Sequence, residues 1–140
     1  MNITKSLTLV ALASVIACVS FAAPQAETDL SAALEKAKKE KKLLFVQYGR
    51  EKCGNCQALR GYIKGGQVRL SAEKFVYADL NCDDKATGQE FRKHFKVTGN
   101  TLPFVVVADA EGKQLAGRTG YGKADDFQKL IHAAEGKSGK

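Results

Sequence analysis

The 140-residue sequence predicts an α/β domain with a mixed four-stranded sheet and helices on both faces. Segments with helical and with strand-like apolar spacing alternate along the chain, which is typical of this class. A Cys53-x-x-Cys56 pair stands where an apolar strand pattern ends and a helical pattern begins. A hairpin-type turn at 109–112 follows the last strongly apolar strand pattern, so one strand pair should be antiparallel.

The first 22 residues are predicted to form a secretory signal peptide, which leaves a single domain over 23–140. Lys5 supplies a positive start, an apolar stretch covers 7–19, and small residues stand where a signal peptidase cleaves. A retained membrane anchor is an alternative, although the stretch is shorter than the roughly 20 residues that span a bilayer. Lipidation of Cys18 is another, since residues 15–18 loosely resemble a lipoprotein cleavage box. The protein is expected to be exported, periplasmic or secreted.

Composition narrows the function classes. The net charge is +7, but the lysines near the N-terminus fit a solvated helix face, and no aromatic interleaving or glycine-rich loop suggests nucleic acid. About 118 residues after cleavage suffice for one two-layer core without disulfide staples, and a monomer is expected.

After cleavage of the signal peptide, only three cysteines would remain: Cys53, Cys56 and Cys82. One close pair and one leftover cysteine suit a working redox site better than a disulfide framework.

The first half of the domain reads helix, strand, helix, strand. Apolar residues at i, i+3, i+4 and i+7 from Leu30 predict a helix that ends near Lys42. The apolar run 43–48 predicts a short buried strand. A helix then runs from the first cysteine of the pair to about Lys64, where two glycines end it. A second strand pattern covers 75–80.

The second half begins with a helix and continues with a hairpin. A capping box at 87–90 predicts the start of this helix, and Phe91 and Phe95 form the buried stripe behind it. After a proline, the segment 104–108 predicts a strand, and 113–117 predicts the strand that returns from the turn.

A last helix is predicted from near Lys123, followed by a frayed tail at 136–140. If the first two strands are parallel neighbours, the helix between them should cross over with the right-handed sense. The hairpin then adds an antiparallel edge, which completes the mixed sheet.

The helical spacing distinguishes the two paired cysteines. Cys56, Leu59 and Ile63 share one helix face, so Cys56 should point toward the core and Cys53 should be the more exposed thiol. Cys53 also stands at the start of the helix, where backbone amides favour a thiolate.

The element order resembles the thioredoxin-like superfamily over about residues 29–135. Cys53-Gly54-Asn55-Cys56 at the first strand-to-helix junction and Thr101-Leu102-Pro103 before the third strand carry the resemblance. It implies a thioredoxin-like fold, a cis bond before Pro103 that packs against an active disulfide, and backbone groups of Leu102 that pair with a substrate peptide. The alternative for Pro103 is a plain start of an edge strand.

Three features depart from thioredoxins proper. Gln47 stands where they carry a buried aspartate that assists proton transfer, so that role is absent or filled by water or another group. Lys52 replaces the aromatic residue that usually precedes the first cysteine. The intervening pair Gly54-Asn55 matches neither thioredoxins nor strong oxidants. These departures indicate a specialised branch of the superfamily.

The predicted function is thiol–disulfide exchange on protein substrates, with no cofactor and with a membrane or soluble redox partner. Cys53 is the expected nucleophile and Cys56 the resolving cysteine. Lys52 and Arg50 should favour the Cys53 thiolate by their charge. The reducing direction is slightly favoured, because Asn55 is not the histidine associated with strongly oxidising pairs.

Two other functions use the same cysteines. A zinc or copper site would need more ligands than one C-x-x-C supplies, and Cys82, His94 and His132 are the only further candidates; no metal is predicted. A binding module would keep the fold and use an inert disulfide. For Cys82 itself, a half-buried strand-end residue and a regulatory or intermolecular thiol both remain open.

Overall fold

The computed structural model describes residues 22–139, which form five strands and four helices. In chain order these are β1 (Ala26–Glu27), α1 (Leu30–Glu40), β2 (Leu43–Gly49), α2 (Gly54–Lys64), β3 (Phe75–Asn81), α3 (Lys85–His94), β4 (Phe104–Ala108), β5 (Gln114–Thr119) and α4 (Ala124–Ser138). The predicted signal segment, with Cys18, lies outside the described residues except for its last one. No described helix is long and apolar enough to cross a bilayer.

The strands form one mixed sheet in the order β1-β3-β2-β4-β5. β3 is parallel to both β1 and β2, and β4 and β5 are antiparallel to their neighbours, which confirms the predicted mixed sheet and its hairpin. The prediction of four strands was wrong by one. The extra strand is β1, in which Ala26 pairs with Tyr77. Two residues are too few to show an alternating pattern, so the sequence analysis predicted no strand before the first helix.

Helices cover both faces of the sheet, as predicted. Leu44, Val46 and Tyr48 of β2 pack with α1 and α3, whereas Phe45 packs on the side of α2 and α4. Successive residues of a strand point to opposite faces, so the side chain of Gln47 also lies on the α2 side. This alternation brings a polar residue of a central strand directly beneath the helix that carries the cysteines.

Two helix boundaries differ from prediction. α3 begins at Lys85 rather than at the capping box, because the Asp84 carboxylate caps it by accepting from the Ala86 amide at 2.8 Å. Thr87 therefore lies inside the helix. The predicted frayed tail is helical through Ser138, where Lys137 Nζ donates to the Leu115 carbonyl at 2.9 Å and fixes the last turn to β5.

Candidate active site

The two cysteines of the pair lie where β2 ends and α2 begins. Cys53 is the N-cap of α2 and Cys56 lies in its first turn, with their Cα atoms 5.2 Å apart and their sulfur atoms joined as a disulfide. The Cys56 amide donates to Cys53 Sγ at 3.3 Å. Cys56 is fully buried and Cys53 is half-buried, so the predicted difference in exposure is confirmed. One sulfur is therefore open to a partner and the other is held behind it.

Gly49, the last residue of β2, leaves space for the inner sulfur. A Cβ added at Gly49 would stand 2.5 Å from Cys56 Sγ and 3.6 Å from Pro103 Cβ. No side chain fits there without moving the disulfide. The predicted strand ended at residue 48, and the sequence analysis missed the role of Gly49 because the contact depends on how α2 packs over the end of β2.

The loop before β4 forms the other wall of the site. The Leu102–Pro103 peptide bond is cis, as the resemblance implies. The Asn55 side chain donates from Nδ2 to the Leu102 carbonyl at 3.2 Å, which links the C-x-x-C turn to this loop. Asn55 entered the sequence prediction only as part of the intervening pair. In the fold, the amide group of Asn55 occupies the carbonyl acceptor of Leu102.

A surface groove of about 650 Å³ runs beside the disulfide. Cys53 and Leu102 both line it, so two parts of the chain that the sequence analysis singled out are brought together. Its remaining lining residues come from β2, the turn before α2, α2, the turn after β3, α3, the loop before β4 and β4: Tyr48, Arg50, Lys52, Asn55, Cys82, Arg92, Asn100, Thr101 and Phe104.

The two predicted cations lie in different surroundings. Lys52 is exposed beside Cys53 on the groove. The Arg50 guanidinium instead contacts the end of β3, with Nη2 at 3.1 Å from Asp83 Oδ1 and 3.7 Å from Cys82 Sγ. The structure thus brings Arg50 to the third cysteine, and its proposed effect on the Cys53 thiolate would act across the groove rather than by contact.

Most of the sequence matches a known family. A family model described as a thioredoxin-like domain matches residues 30–135. The chain belongs to this family. No curated protein matches the sequence.

Solved structures of thioredoxin-fold proteins resemble this thioredoxin-like domain over most of its length. Thioredoxin f from spinach chloroplast is 18% identical, covers 83% of this chain and 97% of its own, and has a TM-score of 0.60. A chain in the complex of ferredoxin:thioredoxin reductase with thioredoxin f2 is 17% identical, with coverages of 79% and 94% and a TM-score of 0.62. DsbH oxidoreductase is 24% identical, covers 94% of each chain and has a TM-score of 0.55. At these low identities, the structural similarity shows a shared fold.

An uncharged side chain, that of Gln47, lies beneath the inner cysteine of this thioredoxin-like site. The side chain is fully buried, donates from Nε2 to the Cys56 carbonyl at 3.0 Å and accepts from the Tyr77 hydroxyl at 3.1 Å. Burial raises the pKa of Tyr77, and the nearby Asp79 carboxylate raises that pKa further. Neither Gln47 nor Tyr77 therefore exchanges a proton near neutral pH. The proton that the Cys56 thiol gains or loses must be exchanged with another group or with water.

An ion pair beside Gln47 fixes the active-site turn. Asp79 pairs in register with Gln47 on the neighbouring strand and contacts Arg60 of α2, with Nη2 at 3.0 Å from Oδ1. Arg60 Nη1 also donates to the Arg50 carbonyl at 3.4 Å. The pair thereby ties β3, α2 and the turn before Cys53 together. Sequence reasoning missed it because the partners are far apart in the chain.

Tyr77→Phe should lower the free energy of unfolding by about 1–2 kcal/mol at pH 7, because Gln47 Oε1 would lose its buried donor. This deficit should shrink as the pH rises above about 10, the ordinary tyrosine pKa. There the unfolded Tyr77 loses its proton while the folded one keeps it, so only the wild type loses stability from this group. Urea unfolding of both proteins from pH 7 to 11 measures the difference; a constant deficit over this range would contradict the assignment.

The histidines lie apart from the cysteines in other contacts. His94 Nε2 is 3.0 Å from Glu90 Oε1 and His132 Nε2 is 3.2 Å from Gln128 Nε2, each one turn away on its own helix. Within residues 22–139, no group of three or more His, Cys, Asp or Glu side chains is placed to hold a metal ion.

Proposed function

We propose that this thioredoxin-like protein catalyses thiol–disulfide exchange on protein substrates through Cys53 and Cys56. The observation that carries the proposal is the asymmetry of the pair: Cys53 faces the groove, while Cys56 is fully buried one turn behind it. An inert structural disulfide does not need one sulfur on a groove. The names of two similar structures, a thioredoxin f and an oxidoreductase, are consistent with the same chemistry.

In the reducing direction, exchange needs two displacement steps. The Cys53 thiolate attacks one sulfur of a substrate disulfide, the S–S bond breaks, and the first substrate thiolate leaves and takes a proton from water. The Cys56 thiol then loses its proton to water and attacks Cys53 Sγ. The mixed disulfide breaks, the second substrate thiolate leaves, and the protein ends as the Cys53–Cys56 disulfide. Two electrons pass from the protein dithiol to the substrate.

The surroundings of Cys53 favour its thiolate form. Its N-cap position directs the amides of the first turn of α2 toward the sulfur, as the 3.3 Å contact from the Cys56 amide illustrates. The exposed ammonium of Lys52 adds positive charge next to it. Both effects raise the fraction of Cys53 that is present as the thiolate, which is the attacking species.

We further propose that the reducing direction is the physiological one, and that the protein works after export. Asn55, in place of the histidine of strongly oxidising pairs, supports the direction, and the N-terminal sequence pattern supports export. An exported reductase needs an electron donor, either a membrane or a soluble redox partner. The N-terminus of protein recovered from its host tests export: we expect it at residue 23, whereas a lipidated Cys18 or a retained Met1 would contradict this processing.

Insulin reduction by dithiothreitol tests exchange itself. With the protein present at catalytic concentration, precipitation of the insulin B chain should start earlier and run several times faster than with dithiothreitol alone, as expected for enzymatic turnover. A rate equal to that of dithiothreitol alone would favour the binding module with an inert disulfide.

A further inference from the structure

We propose that the groove beside Cys53 selects acidic segments of disulfide-bearing proteins, and that Arg92 is a main determinant of this preference. The inference rests on the proposed function, since the groove is the one through which Cys53 would meet a substrate. Arg92 belongs to α3, more than 30 residues after the cysteines, and nothing in the sequence pattern marks it.

The groove carries positive charge that is only partly neutralised. Arg50, Lys52 and Arg92 line it, and its lining includes no Asp or Glu. Arg50 already has a carboxylate partner in Asp83. Among the described residues, Lys52 and Arg92 form no salt bridge, and both are exposed. A carboxylate bound in this groove would therefore find two cations without a salt-bridge partner.

A glycine inside α3, Gly88, leaves room for the Arg92 side chain at the groove. A Cβ at Gly88 would stand 2.8 Å from the Tyr48 hydroxyl and 3.3 Å from Arg92 Nη1. Glycine costs a helix interior about 1 kcal/mol relative to alanine, so this position gives up helix stability for space. That space lets the Arg92 guanidinium lie near the Tyr48 hydroxyl, and both residues line the groove.

An apolar pocket adjoins the charged part of the groove. It has a volume of about 290 Å³ and shares Tyr48, Arg92 and Phe104 with the groove, while Phe91 and Phe95 supply further apolar wall. A site with apolar walls and a few placed polar groups is typical of specific recognition. The fitting ligand is thus an extended segment with carboxylates near its cysteine and one apolar side chain for the pocket.

Three disulfide-linked peptides of equal length test this preference. Their cysteines are flanked by Asp and Glu, by Gln and Ser, or by Lys, and the reduced protein reacts with each in single turnover. The flanking charges also alter the leaving thiol, so each rate constant is divided by that of dithiothreitol with the same peptide. We expect the normalised rate for the acidic peptide to exceed that for the basic one about tenfold at low salt, a ratio that salt should reduce.

Arg92→Gln should lower this preference about threefold, the size expected for one exposed charge contact. Lys38→Gln removes the same charge from an exposed site on α1, near the end of the sheet opposite the cysteines, and should leave the preference unchanged. Equal normalised rates for the three peptides, or equal losses in the two variants, would overturn the inference.

A neutral small disulfide, 2-hydroxyethyl disulfide, separates this inference from the proposed function. Exchange with it and with all peptides at one normalised rate would overturn the acidic preference alone. Absence of exchange with every substrate would overturn the proposed function as well.

Discussion

Cys53→Ser should abolish disulfide exchange, so that insulin reduction falls to the rate of dithiothreitol alone, because a serine hydroxyl cannot replace the attacking thiolate. The loss should be complete even though Cys56 stays in place, since Cys56 is fully buried and cannot reach a protein substrate. Insulin reduction with dithiothreitol, read against dithiothreitol alone, measures the effect.

Cys56→Ser should instead stop the reaction halfway. Cys53 would still attack, but no second thiol would resolve the mixed disulfide. After reaction with a disulfide peptide, intact mass should show one peptide adduct, and peptide mapping should place it on Cys53. The Cys53→Ser/Cys56→Ser double variant controls for adducts on Cys82. Full multiple-turnover activity of Cys56→Ser, or an adduct on Cys82 alone, would contradict the assigned roles.

Gly49→Ala should destabilise the oxidised protein by about 1–3 kcal/mol, the usual cost of overpacking a close contact. The new Cβ would meet the fully buried Cys56 Sγ at 2.5 Å, so either the disulfide or the end of β2 would have to move. Exchange activity should fall too, because displacement of Cys56 disturbs its approach to Cys53. Urea unfolding and insulin reduction measure the two effects.

Gly61→Ala is the matched control for this substitution. Gly61 lies on the exposed side of α2, and a Cβ there has no atom within 4 Å. The change should raise stability by about 0.5–1 kcal/mol through helix propensity and leave activity unaltered. Equal effects of the two substitutions would show that the contact at Gly49 is unimportant.

Local patterns in the sequence were sufficient to predict much of the fold and the central pair. The spacing of Cys56, Leu59 and Ile63 predicted a buried face of α2, and all three are buried. The alternation of elements predicted a mixed sheet with the β4–β5 hairpin, and β2 and β3 are parallel neighbours, the condition on which the crossover argument rested. Such patterns depend on residues that are close together in the chain, so they can be recognised in the sequence itself.

The parts that sequence reasoning missed depend on contacts between distant residues. Asn55 and the Leu102 carbonyl are 47 residues apart, and Arg92 reaches the groove only through the packing of α3 on Tyr48. Gly49 lies just after the apolar run 43–48, and its role becomes clear only from the position of Cys56 Sγ. Arg50 was expected near Cys53, but its contacts are with Cys82 and Asp83, because the direction of a long side chain is set by its neighbours in space.

The reduction potential of the Cys53–Cys56 pair tests the redox role most directly. The protein is equilibrated with glutathione buffers of known potential, and the oxidised fraction is determined by alkylation and mass measurement. We expect a value between about −120 and −270 mV, the range of working oxidoreductases, and nearer to −270 mV if the reducing direction holds. A value below about −300 mV, typical of structural disulfides, would contradict a redox-active pair.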